Sequence, residues 1–284
     1  MFAAIAALTA AQTSRAITFG ELDNGRHPNV GTVMVKYPNI EPFQYNSGTL
    51  IAPNLFLTSG HGPSQVEFGI KSGWFSLSYL YVTFADDPYD ESFWVPVLDV
   101  RTHPGYKPAN YDVATEAWAD AHGYGSINIE DVGVLILKEE VTDIEPAALP
   151  TVGILDELKR AGELKPETKI LSVGYGTHET FPPPTVVEEP HNRELVFSEY
   201  RGINQRWLLL SMNVRLGNGG GGYGDSGGPK FWVDPLDGSE HLVAITSRGD
   251  PLCMAIDISY RIDTPEALNF IEAVRAEFPC DDVP

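Results

Sequence analysis

From about Val30 onward, apolar residues fall in short runs broken by glycine, proline and asparagine. The runs are Thr32 to Val35, Thr49 to Ile51, Leu55 to Leu57, Leu80 to Phe84, Val132 to Leu137, Ile170 to Val173, Trp207 to Leu210 and Leu242 to Ile245. They are rich in valine, isoleucine and aromatics, and many short strands with turn punctuation predict an antiparallel sandwich or barrel. The 27 glycines and 22 prolines leave little room for long helices. One helix is expected at the end, where Asp263-Thr264-Pro265 supplies a cap and a first-turn proline, and Leu268, Ile271, Val274 and Phe278 then share a face. The stretch Glu145 to Pro150 divides the pattern into two halves, Phe181 to Thr185 reads as an exposed loop, and no internal repeat is present.

Composition narrows the class. A chain of 284 residues, 43% apolar and 20% charged, buries a substantial core in one or two domains. No stretch approaches the ~18 apolar residues of a membrane span. The net charge of −20 argues against nucleic acid or an anionic membrane as partner, because both would repel it. In Asp86 to Glu91 the acidic residues cluster, and the segment reads either as a solvated face or as a calcium loop; no other metal or cofactor is expected. Residues 1–16 carry the apolar run Phe2 to Leu8, and small residues at Ser14 and Ala16 fit a secretory cleavage site without its usual basic start. Secretion is the expectation. Two cysteines, Cys253 and Cys280, exclude a disulfide scaffold and permit at most one bridge.

Chemistry concentrates in three motifs. Ser226 stands in Gly224-Asp225-Ser226-Gly227-Gly228-Pro229, whose glycines let the backbone approach a bound carbonyl, with the N–H groups of Gly224 and Ser226 as an oxyanion hole. His61 follows a strand-like run between two glycines, which predicts a tight turn and an exposed ring. Asp131 opens the apolar run to Leu137, which would bury its carboxylate where it can orient an imidazole. Asp112 competes for that role without such support. A serine hydroxyl needs a base to take its proton and donors to hold the oxyanion, and each role has a candidate.

From Ile17 to the C-terminal helix the chain resembles the chymotrypsin/trypsin family of serine endopeptidases. The resemblance rests on Leu50 to Pro53 with Thr58 to His61, on Asp131 to Leu137, on Gly224 to Pro229, on Val173 to Gly176 and on Ser247 to Gly249. It implies an all-β fold of two six-stranded antiparallel barrels, residues 17–145 and 146–262, with a C-terminal helix and tail over 263–284. His61 would be base then acid, Asp131 its orienter and Ser226 the nucleophile, the first two from the first barrel. The implied partners are protein or peptide substrates and protein inhibitors, acting on a monomer.

The same resemblance makes Gly220, Ser247, Gly249 and Ile258 the substrate-lining residues. No carboxylate stands at Gly220, so an uncharged, apolar side chain before the scissile bond is expected, unless Asp250 or Asp257 reaches in. A freed Ile17 amine would pair with Asp225 after residues 1–16 are removed, as in a zymogen. The family's half-cystines are replaced at Asn46, Gly62 and Gly222, which leaves Cys253 unpaired, and Arg248 replaces a common tryptophan.

Two other classes compete. A GxSxG elbow would suit a serine esterase, but the only histidine after Ser226 is His241 and no strand–helix alternation accompanies it. A catalytically silent binding protein on the protease fold is the third reading, although no triad residue is lost.

Overall fold

The computed structural model describes residues 17–106, 130–180, 185–187 and 192–280. The segment 1–16, Asp112 and residues 181–184 of the proline loop lie outside this set. After a two-residue strand β1 (Glu21–Leu22), six strands close a barrel: β2 (Val30–Val35), β3 (Phe43–Ala52), β4 (Leu55–Thr58), β5 (Leu80–Thr83), β6 (Val95–Thr102) and β7 (Gly133–Leu137). Their order is β2-β3-β4-β7-β6-β5, and β5 pairs back onto β2. Downstream come β8 (Lys169–Gly174), the separate ribbon β9 (His178–Thr180) and β10 (Thr185–Val187), then β11 (Glu194–Ile203), β12 (Trp207–Ser211), β13 (Pro229–Val233), β14 (Glu240–Gly249) and β15 (Ile256–Arg261). The second barrel runs β8-β11-β12-β15-β14-β13 and closes where β13 meets β8. Every ladder among the described residues is antiparallel. An α/β-hydrolase needs a parallel sheet, so the esterase elbow has no scaffold here.

Closure explains how so many short strands survive without exposed edges. The first barrel fills with Val33, Val35, Leu50, Phe56, Leu80, Val82, Val100, Leu135 and Leu137. Another cluster joins the two barrels, where Leu55, Leu57, Val134 and Ile136 meet Leu171, Val173, Phe231, Ile245 and Tyr260. At ~25 cal/mol per Å² of apolar surface removed from water, this shared cluster fixes how the barrels sit against each other.

Among the described residues three α-helices decorate the barrels: α1 (His61–Lys71), α2 (Ile154–Ala161) and α3 (Pro265–Glu277). Helix α3 starts as expected, with Thr264 Oγ1 accepting from Ala267 N at 3.2 Å and Pro265 in the first turn. Its fully buried face is Ala267, Ile271 and Val274, while Leu268 and Phe278 are half-buried. In the N-terminal segment, β1 pairs with β11 of the second barrel.

Candidate active site

Strand β4 is buried throughout and delivers the chain to Ser59 and Gly60. His61 then opens α1, where a tight turn was expected; Pro63 lies in the first turn, where its missing N–H costs nothing. Gly60 permits the approach of the next segment, since a Cβ there would stand 2.9 Å from Val132 N and 3.2 Å from the carbonyl carbon of Asp131. Any side chain would wedge His61 away from Asp131.

The Asp131 carboxylate is 3% exposed and collects three donors. His61 N–H reaches Oδ1 at 2.9 Å, the ring Nδ1 lies 3.2 and 3.1 Å from the two oxygens, and Ser247 Oγ donates to Oδ2 at 2.5 Å. A carboxylate facing Nδ1 holds the proton there and leaves Nε2 as the basic nitrogen. Burial alone would lift the Asp131 pKa, but the His61 charge and these hydrogen bonds hold it below the ordinary carboxylate value. For His61, burial pushes down and Asp131 more than offsets it, so the imidazole sits above its ordinary value.

Ser226 lies on the loop between β12 and β13, on the other barrel, and is half-buried. Gly227 has φ +83°, and a Cβ there would meet Thr58 Oγ1 at 2.1 Å and Ser59 N at 2.4 Å. The serine loop is therefore pressed onto the residues just before His61, and only glycine allows it. Within this arrangement His61 Nε2 lies 3.5 Å from Ser59 Oγ, and among the described residues Ser226 Oγ makes no hydrogen bond.

Each carbonyl from Tyr223 to Ser226 is anchored. Tyr223 O accepts from Thr177 N (2.6 Å), Gly224 O from Gln44 Nε2 (2.8 Å) and Ser47 Oγ (3.1 Å), Asp225 O from Gly228 N (2.8 Å) and Ser226 O from Ser47 N (3.0 Å). In a trans peptide the N–H points opposite its carbonyl. The planes carrying the Gly224 and Ser226 N–H groups are thus set by their anchored carbonyls, and among the described residues no acceptor meets either N–H.

With residues 1–16 attached, Ile17 carries an amide and not the freed amine of the expected pair with Asp225. Ile17 N donates to Glu194 Oε2 at 3.2 Å, while the Asp225 oxygens accept from Gly176 N (2.8 Å) and Gly222 N (2.7 Å). Burial pushes the Asp225 carboxyl up to about 7, despite those backbone donors. Thr18 forms a two-bond bridge with Gly220, at 3.2 and 3.3 Å, so the N-terminal segment braces the glycine run that precedes the serine loop.

Of the residues expected to line substrate, Ser247 spends its hydroxyl on Asp131, Gly249 faces Asp257 in the β14–β15 ladder, and Ile258 is half-buried opposite Arg248 and Leu209. Arg248 stacks its guanidinium 4.8 Å from the Trp207 ring. Neither rival carboxylate is available. Asp257 receives Lys230 Nζ at 2.6 Å, Ser259 Oγ at 2.7 Å and Gly221 N at 3.2 Å, and Asp250 caps its own turn through Met254, Ala255 and Ile256 N–H groups.

Asn46 and Gly62 are neighbours: a Cβ on Gly62 would meet Asn46 Nδ2 at 2.4 Å, and that amide donates to Ser59 Oγ at 3.0 Å. No disulfide joins Cys253 and Cys280. In the acidic segment, Asp86 pairs with Arg193 and Glu91 with Lys36, while Asp87 and Asp90 cap local turns. Among the described residues no cluster of His, Cys, Asp or Glu is arranged to hold a metal ion.

Sequence reasoning did not single out Ser47, Gln44, Thr177, Glu194 or Lys230. Their contacts span up to 180 residues, and nothing local marks them. A scan against protein-family models finds no match. A search of curated proteins finds no similar sequence either.

Proposed function

We propose that the protein is a serine endopeptidase that cleaves peptide bonds through an acyl-enzyme. The observation that carries this reading is the Asp131 carboxylate, shared by His61 N–H, His61 Nδ1 and Ser247 Oγ, with the loop bearing Ser226 pressed through Gly227 onto the residues just before His61. A double antiparallel barrel of this kind is consistent with a chymotrypsin-like fold.

Ser226 Oγ attacks the substrate carbonyl carbon and its proton passes to His61 Nε2, while the oxyanion takes the N–H groups of Gly224 and Ser226. The C–N bond breaks as His61 returns that proton to the leaving amine. Water then repeats the sequence on the acyl ester, restoring Ser226. Asp131 stays ionised and steadies the imidazolium. The side chain before the scissile bond is uncharged in this reading, because Asp257 is neutralised by Lys230 and Asp250 is occupied by its own turn. Release from the cell after removal of residues 1–16 belongs to the same proposal.

A fluorophosphonate probe tests it. Wild type is expected to label and to cleave a peptide panel, and Ser226→Ala to do neither. A folded wild type that takes no label and cuts no peptide would instead favour a binding protein built on this fold.

A further inference from the structure

The base and the nucleophile of this reading ride on different barrels, so something must register one against the other to within a fraction of an ångström. Apolar contacts between the barrels fix distance but not the rotation of peptide planes. Directional bonds are needed for that.

Ser47, on β3 of the first barrel and fully buried, makes four such bonds. Its N–H donates to Ser226 O (3.0 Å) and its Oγ donates to Gly224 O (3.1 Å). The same Oγ accepts from Tyr175 N (3.1 Å), which leaves its single proton for Gly224. Its own carbonyl accepts from Thr58 Oγ1 (2.8 Å), three residues before His61. One residue therefore ties the carbonyls on either side of Asp225 to the strand that presents the imidazole. Gln44 Nε2 adds a second donor to Gly224 O at 2.8 Å and is itself seated on Thr32 Oγ1 at 3.0 Å.

We infer that Ser47, seconded by Gln44, is a positioning residue: by fixing the Gly224–Asp225 and Ser226–Gly227 peptide planes it seats the serine loop in register with His61. The inference rests on the protease reading for its kinetic consequence and not for its geometry. Losing the Ser47 hydroxyl strands Tyr175 N–H and leaves the carbonyl of the Gly224–Asp225 peptide plane to Gln44 alone, while the backbone bond to Ser226 O survives. Removing an oxyanion donor outright costs about 10²–10³ in turnover. Loosening one costs less, about tenfold.

The test compares wild type, Ser47→Ala and Gln44→Ala. For Ser47→Ala, kcat on a peptide amide is expected to fall about tenfold with KM nearly unchanged, and affinity for a peptide boronate to fall in parallel. Gln44→Ala, at a partly exposed position, is expected to show the same pattern about three-fold weaker. Amide hydrogen exchange at Asp225 and Gly227, whose N–H groups share the held planes and donate to Gly222 O and Thr246 O, should quicken at least about tenfold in Ser47→Ala, with the barrel strands unchanged. The exchange measurement needs no activity, so a wild type that fails to label defeats the protease reading while the clamp is still judged. Unchanged exchange at both amides overturns the inference. So does a fall in melting temperature with kcat and boronate affinity intact.

Discussion

The two barrels share a strand count and differ in what they enclose. In the first, the interior is aliphatic with Phe56, and no charged side chain enters it among the described residues. In the second, Lys230 and Asp257 are both buried, and they reach each other from β13 and β15, which are not neighbours in the sheet. Their bond crosses the lumen, with Ser172 and Ser259 satisfying the remaining valences at 2.7 Å each. An apolar end survives beside it, where Ile170, Leu208, Leu210, Trp232 and Ala244 pack under α2. The first barrel carries the His61–Asp131 pair at its rim. The second spends burial on a charged plug beneath the glycine run that leads to Ser226, touching it through Gly221 N.

Four substitutions probe this contrast. The largest effect is expected at the rim of the first barrel. Asp131→Asn should lower kcat by about 10⁴, because the amide no longer holds the Nδ1–H tautomer. It should also move the acid limb of the pH profile. With Asp131 present the His61 pKa is raised, so activity that needs neutral imidazole is lost as pH falls through a value above 6.5. The stabilising imidazolium–carboxylate pair is complete below 6.5 and fades as pH climbs through that raised value. In the variant only burial remains, and the limb should shift to lower pH.

Next comes the plug. Lys230→Met leaves Asp257 buried without a counter-charge and should cost about 3–5 kcal/mol in a denaturant titration. Lys230→Met with Asp257→Leu should recover most of that loss, since an apolar replacement removes the stranded charge. A double variant as unstable as the single one would mean the plug stabilises beyond its own neutralisation. Smaller on average is Leu50→Ala in the first barrel, about 2–5 kcal/mol from a cavity alone. That loss should not depend on pH, and a pH-dependent loss would erase the distinction between the barrels.

How far the sequence revealed this depends on what each strand faces. Strands β4 and β7 read directly as Leu55 to Leu57 and Val132 to Leu137, because both of their faces are buried in apolar surroundings. Strands β11 and β15 carry Glu194, Glu199, Asp257 and Arg261 within otherwise apolar segments, and the charges break the pattern that marks a strand. Their partners are Ile17 N for Glu194, Lys169 for Glu199, Lys230 for Asp257 and Asp156 for Arg261, all distant in sequence and so invisible locally. Helix α1 was missed for another reason: Gly62, Pro63 and Gly69 depress its propensity, and packing on β6 and β7 compensates. In the site, His61, Asp131 and Ser226 announced themselves through their flanking residues. Ser247 was named as a substrate wall, yet its hydroxyl serves Asp131 across 116 residues. The freed Ile17 amine expected beside Asp225 does not exist while Ala16 is attached, and in the uncleaved chain the Ile17 amide meets Glu194, which no motif marks.

The contact between Asn46 and Gly62 has a practical corollary. An amide and a glycine fill the space a sulfur bridge would take, and both thiols in the chain stand apart. Folding of this molecule owes nothing to an oxidant, so reductants such as dithiothreitol should leave its shape intact, and a cytosol suits its production as well as any export pathway.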